Sequence, residues 1–95
     1  MYKALFMAFD GDSVTEGQFK TIEEAWSYIE NIGSRWFFYP FCFVVKNKAI
    51  VSSFDGAEFL TRKHISTVKK MFDKATSLAD SDCDVYEYVE VLKNI

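Results

Sequence analysis

The feature that most constrains the fold is the run Arg-Trp-Phe-Phe-Tyr-Pro-Phe-Cys-Phe-Val-Val-Lys at residues 35–46, in which only the two ends are charged. Aromatic and β-branched residues favour a strand over 36–45, and Pro40, which has no backbone N–H, favours a sheet edge. Alternate residues of a strand point to opposite faces, and both sets are apolar here, so both faces need cover. The sets are Phe37, Tyr39, Phe41, Phe43 and Val45 towards the core, and Trp36, Phe38, Pro40, Cys42 and Val44 on the other side.

The chain of 95 residues is expected to form a single α+β domain, residues 1–95, with large aromatic side chains filling a small core. The longest apolar run has ten residues, about half of the roughly 20 that a membrane-spanning helix needs. No signal peptide is recognisable at the amino terminus. Cys42 and Cys83 have neither metal-ligand nor disulfide-framework spacing. These observations predict a cytoplasmic protein with two free thiols.

Hydrophobic periodicity predicts the order of the elements. A first strand covers 2–9, and residues 14–20 form either a second arm of a hairpin or a loop. Thr21-Ile-Glu-Glu24 is a capping box that starts a helix ending at Gly33. A third strand over 49–54 follows the turn at 46–48, then a short turn at 57–60 and a helix over about 62–79. The segment 85–95 fits either a strand or a helix, and its β-formers favour the strand.

This order, β-α-β-β-α-β, predicts a ferredoxin-like two-layer sandwich, with two helices on one face of a four-stranded antiparallel sheet. The aromatic strand would then lie at an edge of the sheet, in agreement with Pro40. The sheet face opposite the helices would be bare, with Trp36 and Phe38 pointing towards it.

The sequence offers little for catalysis, so a non-enzyme is expected. His64 is the only histidine, and it lies beside Arg62 and Lys63 in a pattern typical of a surface. No phosphate-binding glycine loop or nucleophile motif is present. Asp80, Asp82 and Asp84 lack a closing ligand for calcium and are better explained as a solvated turn. No cofactor and no metal are therefore predicted.

The bare aromatic face remains to be explained. Either the segment 85–95 or the 14–20 arm covers it, or it is an interface built on Trp36, Phe38 and Pro40, because large exposed apolar patches usually mark one. The interface hypothesis predicts a protein-binding module that binds either itself, as a homodimer, or another protein. The alternative is binding of single-stranded nucleic acid through Arg62, Lys63, Lys69 and Lys70 in a segment, 62–74, that is strongly basic. No membrane partner is expected, because the net charge is −3.

The motif Ser-Arg-Trp-Phe-Phe-Tyr-Pro-Phe at 34–41, with the helix before it and the Ile-Ser-Thr-Val-Lys-Lys segment at 65–70, resembles small uncharacterised proteins of tailed phages and their bacterial hosts. The resemblance covers about residues 20–72. That group has no established activity or catalytic residues, so no residue role is transferred. The resemblance implies a bacterial host cytoplasm and a small inhibitor or adaptor that binds and redirects host proteins.

Overall fold

The computed structural model describes residues 1–32 and 38–95, and these residues form one antiparallel sheet with helices on both faces. The elements, in chain order, are β1 (Tyr2–Met7), β2 (Ser13–Phe19), α1 (Ile22–Ile32), β3 (Phe41–Lys46), β4 (Ala49–Ser53), a 3-10 turn (Glu58–Leu60), α2 (Ile65–Leu78) and α3 (Val85–Lys93).

The sheet has the order β2-β1-β3-β4, and all of its pairs are antiparallel. The β3–β4 connection is a two-residue turn in which Asn47 and Lys48 both have positive φ, 53° and 65°. That backbone twist matches the twist of the two strands and gives a tight hairpin. Beyond β4, the Arg62 N–H donates to the Ile50 carbonyl at 2.7 Å and the Ile50 N–H donates to the Lys63 carbonyl at 2.9 Å. Residues 62–63 therefore occupy part of the outer edge of β4.

The two central strands, β1 and β3, are buried on both faces because each face has its own helical cover. The α1 core contains Ala4, Phe6, Cys42 and Val44 from the sheet, together with Ala25 and Ile29 from α1. The opposite face carries the larger α2–α3 core, whose sheet residues are Leu5, Met7, Phe41, Phe43, Val45 and Ile50. Consecutive residues of a strand thus belong to different cores, as the pleat requires.

Side-chain caps fix where the helices start. At α1, the Thr21 hydroxyl accepts from the Glu24 N–H at 3.1 Å, while the Glu24 carboxylate accepts from the Lys20 N–H at 3.1 Å. His64 Nδ1 accepts from the Ser66 N–H at the start of α2. The Asp84 carboxylate accepts from the Glu87 N–H at 2.9 Å at the start of α3. Each cap satisfies one of the N–H groups that a helix leaves without an internal partner.

Tyr88 connects α3 to the rest of the structure. Its ring is buried between Phe9, Phe41 and Phe72. Its hydroxyl lies 2.8 Å from the Phe72 carbonyl of α2 and also within hydrogen-bond distance of the Phe9 carbonyl beyond β1. One phenol therefore ties together the last helix, α2 and the segment that follows β1.

Several sequence predictions are confirmed. The capping box does start a helix, now α1, and the turn at 46–48 does connect an antiparallel hairpin. The open choice at residues 14–20 is resolved as a hairpin arm, β2, and the short turn predicted at 57–60 is the 3-10 turn. The fold is α+β with a four-stranded antiparallel sheet. Gly33, the expected end of α1, lies outside the described residues.

The ferredoxin-like order is not confirmed. An extra strand, β2, precedes α1, and the segment 85–95 forms a helix where the sequence favoured a strand. The prediction of two helices on one face was wrong, because α1 covers one face while α2 and α3 cover the other. The face expected to be bare is therefore covered by α1. The predicted helix at 62–79 starts later, at Ile65, because residues 62–63 bond to β4.

The edge position of the aromatic strand was also wrong, because β3 pairs with β1 on one side and with β4 on the other. Pro40 precedes β3, so its missing N–H removes no hydrogen bond between strands. The presence of Pro40 therefore does not indicate that β3 lies at an edge of the sheet. The predicted alternation holds only within β3. Tyr39 packs against the α1 core, while Phe41, two residues on, belongs to the α2–α3 core. Trp36 and Phe37 lie outside the described residues.

Truncation of Phe41 tests the double cover of β3. Phe41 is fully buried and contacts four other rings, so we expect Phe41→Ala to lower the free energy of unfolding by about 3–5 kcal/mol. The matched control is Tyr86→Ala, because Tyr86 is 82% exposed and its removal should change stability by less than about 1 kcal/mol. Urea denaturation followed by circular dichroism measures both. Equal losses would contradict the burial of Phe41.

A second variant tests the Tyr88 connection. Tyr88→Phe keeps the ring but removes the hydroxyl that lies within hydrogen-bond distance of the Phe9 and Phe72 carbonyls. The Thr76 hydroxyl still donates to the Phe9 carbonyl at 2.6 Å, so we expect a loss of about 1 kcal/mol in unfolding free energy, the net contribution of one hydrogen bond. Amide hydrogen exchange should also accelerate in α3 relative to the sheet. Unchanged stability and unchanged exchange in α3 would show that the hydroxyl contributes nothing to docking.

Candidate protein-binding groove

A groove of about 660 Å³ lies where the start of β3, the turn after β4 and α3 meet. We call it the α3 groove. Its apolar lining consists of Pro40, Phe54, Val85, Tyr86 and Val89. Its other lining residues are Asp55, Gly56, Glu87, Glu90 and Lys93. The volume is within the range of small-molecule pockets, roughly 300–1,000 Å³.

The pattern of α3 determines which side chains reach this groove. Tyr88, Val89 and Leu92 fall on the buried stripe of the helix. Positions one or two residues off that stripe point away from the core, so Tyr86 and Glu87 are exposed. Tyr86 is 82% exposed, the largest exposed fraction among the exposed large hydrophobic residues of the described chain. A large, stiff aromatic ring therefore stands at the surface beside the groove.

The turn after β4 forms the second wall. The Ala57 N–H donates to the Phe54 carbonyl at 3.0 Å, and Gly56 has φ of 93°, a conformation that favours glycine. The Gly56 N–H donates to the Glu58 carboxylate at 3.1 Å. Hydrogen bonds from backbone N–H groups, of Glu58 itself and then of Gly56, hold the pKa of Glu58 below its usual value. Glu58 thus adds a further negative charge next to the groove.

The charged lining of the groove is mainly acidic. Asp55, Glu87 and Glu90 contribute three carboxylates and Lys93 one ammonium, so the lining residues that the structure describes have a net charge of −2. The Lys93 ammonium lies 3.4 Å from the Glu90 carboxylate, so its charge is already partly neutralised within the chain. The groove therefore combines an apolar surface with an excess of negative charge.

The three residues predicted to bind protein have different outcomes. Pro40 lines the groove. Phe38 is 70% exposed, two residues before Pro40, although it is not a lining residue. Trp36 lies outside the described residues. The two described residues of the predicted surface, Phe38 and Pro40, thus precede β3 and do not lie on a sheet face.

Sequence reasoning missed the α3 side of the groove, in particular Tyr86. The cause was the preference for a strand over 85–95. The signal was present, since Val85, Tyr88, Val89 and Leu92 fit a helical stripe. On that stripe, Tyr86 and Glu87 are solvent-facing positions.

The residues of the nucleic-acid alternative lie elsewhere. Arg62 is exposed with φ of 77°, Lys63 is half-buried in the segment along β4, and Lys69 and Lys70 are exposed on α2. None of the four is a lining residue of the α3 groove. Lys69 and Lys70 are adjacent in a helix, so their side chains diverge by about 100°.

The two thiols are free, as the sequence predicted, and lie in different environments. Burial in the α1 core raises the pKa of Cys42 to about 12. The pKa of Cys83 is also raised, first by desolvation and then by the carboxylates of Glu87, Asp80, Asp84 and Asp82. Both environments disfavour the thiolate, which is the nucleophilic form. His64 has a structural contact, since its Nδ1 caps α2.

Within residues 1–32 and 38–95, no group of three or more His, Cys, Asp and Glu side chains is arranged to hold a metal ion. In the same ranges, no helix has the length and apolarity that crossing a membrane requires.

Comparison with protein-family models, with curated proteins and with solved structures gives no match to this chain.

Alkylation by iodoacetamide tests the thiol environments. In the folded protein at mildly alkaline pH we expect Cys83 to react more slowly than free cysteine, and Cys42 to react only on unfolding, because both pKa values are raised. Peptide mass spectrometry with and without urea measures each site, and the unfolded sample is the control. Modification of Cys42 in the folded protein at the rate of Cys83 would contradict its burial.

Proposed function

We propose that this protein is a small, non-catalytic protein-binding module, an inhibitor or adaptor that binds a bacterial protein through the α3 groove. The observation that carries the proposal is a groove of about 660 Å³ with five apolar lining residues, one of which, Tyr86, is 82% exposed. Tyrosine is enriched among the residues that contribute most to binding energy, because it buries a large area at low entropic cost. The raised pKa values of both thiols also favour a binding role over nucleophilic catalysis.

Charge complementarity defines the partner. A lining with a net charge of −2 attracts a segment that carries Lys or Arg beside its apolar anchors. An amphipathic helix with anchors at spacings of three and four meets both requirements, and binding of such a helix in a groove is a common recognition mode. We therefore assign a basic amphipathic helix of another protein as the occupant.

Strand addition at the aromatic strand, by contrast, is not part of this proposal, because β3 is paired on both sides. A homodimer that uses the same groove is also disfavoured. A two-fold dimer places the same patch of both copies in contact, which would bring the acidic linings together. The bacterial context of the proposal rests on the resemblance of the motif at 34–41 to proteins of tailed phages and their hosts.

Selection from a displayed library of random peptides tests this proposal. We expect the enriched peptides to combine Leu, Phe or Trp at helical spacing with Lys or Arg, because the groove is apolar and acidic. Their affinity, measured by fluorescence anisotropy, should fall by about 2 kcal/mol, roughly 30-fold, in Tyr86→Ala. Glu87→Lys should also weaken binding relative to the wild type, because it reverses a charge of the lining. This loss of affinity should be larger at low salt than at high salt, because salt screens the repulsion.

The matched control for these variants is Leu78→Ala. Leu78 is a large hydrophobic residue of α2 that is 62% exposed and does not line the groove. An equal loss of affinity in Leu78→Ala and Tyr86→Ala would assign binding to another surface. Enrichment of acidic peptides, or a dimeric mass of the free protein that Tyr86→Ala converts to a monomer, would overturn the assigned occupant.

A further inference from the structure

A second concave site lies at the other end of β3 from the α3 groove. It has a volume of about 380 Å³ and is lined by Lys3, Gln18, Val45, Lys46, Lys48 and Ile65, with Met1 and Asn47. β3 runs for six residues from Phe41 to Lys46, so the two sites are separated by about 20 Å. We call this second site the hairpin-tip pocket.

The fold holds two lysines of different segments at this pocket. Lys3 of β1 pairs with Val45 of β3, next to the end of the β3–β4 hairpin. Lys48 is the second residue of the tight turn, and its carbonyl accepts from the Ile65 N–H at 2.9 Å. That bond fixes the turn against the first residue of α2. The position of Lys48 is therefore determined by the backbone, although its side chain is exposed.

The charged side chains that line the hairpin-tip pocket, within the described residues, are all lysines. Its described lining contains three lysines and no carboxylate. The Lys46 ammonium lies 4.9 Å from the centre of the Tyr2 ring, a cation–π contact. The start of α2 is at Ile65, and the amino-terminal end of a helix carries a partial positive charge. Gln18 and Asn47 supply side-chain amides that can donate hydrogen bonds to oxygen.

We propose that the hairpin-tip pocket binds a phosphate ester, with the Lys3 and Lys48 ammonium groups on the phosphate oxygens. A phosphate monoester carries a charge of about −1.5 to −2 and three acceptor oxygens, so it can bridge two ammonium groups from separate segments. The pocket is larger than a phosphate alone, and Val45 and Ile65 give an apolar surface to the group that the phosphate carries. This site is independent of the α3 groove.

Titration with inorganic phosphate, monitored by amide chemical shifts, tests this site. We expect saturable shifts at residues 3, 18 and 46–48, and no such shifts with chloride at the same ionic strength. The double variant Lys3→Gln with Lys48→Gln should weaken binding by about tenfold or more, since it removes the two ammonium groups assigned to the phosphate oxygens. The matched control, Lys69→Gln with Lys70→Gln, removes the same charge from the exposed face of α2 and should leave the affinity unchanged.

Two further probes distinguish the sources of the phosphate. Adenosine monophosphate presents a monoester, and a short oligothymidylate presents the diesters of a single strand. Tighter binding of either probe than of inorganic phosphate, with the same dependence on Lys3 and Lys48, identifies that source. Shifts that do not saturate, or an equal effect of the Lys69 and Lys70 control, would overturn the proposed pocket and assign the attraction to general charge.

Discussion

The structure depends on the double burial of the two central strands. In β1 and β3, the buried residues on both faces are apolar, and each face contributes to a separate core. An apolar face left in water would forgo roughly 1.5–3 kcal/mol for each large side chain, so neither face can remain open. This requirement places α1 on one side and both α2 and α3 on the other. A two-layer sandwich with one covered face does not satisfy it.

The unequal size of the two cores explains the position of the α3 groove. The α1 core is covered by one helix, whereas the α2–α3 core holds a cluster of rings in which Phe41 and Tyr88 contact each other and each contacts both Phe9 and Phe72. Tyr88 holds α3 against this cluster through its hydroxyl as well as its ring. α3 is short, so its buried stripe covers only part of the sheet end. The remaining space between α3, Pro40 and the turn at 54–56 is the groove.

The two proposed sites have opposite charge and lie at opposite ends of the β3–β4 hairpin. The α3 groove has an acidic lining, and the hairpin-tip pocket has a basic one. The net charge of the whole chain is −3, a sum that does not show that acidic and basic residues line different sites. Because charges of one sign at a concave surface attract partners of the opposite sign, the two ends are suited to different ligands: a basic protein segment at one end and a phosphate ester at the other.

The sequence by itself determined the elements that depend on local chemistry. The capping box at Thr21, the turn at 46–48 and the part of the predicted 36–45 strand that lies in β3 are set by short-range hydrogen bonds, backbone conformation and side-chain alternation. Only the tertiary structure decided the rest. Residues 85–93 carry both β-formers and a helical stripe, and the rings of the α2–α3 core select the helix by burying Tyr88. The central place of β3 and the position of Tyr86 at the groove depend on pairing and packing between residues far apart in the chain. Local periodicity does not contain that information.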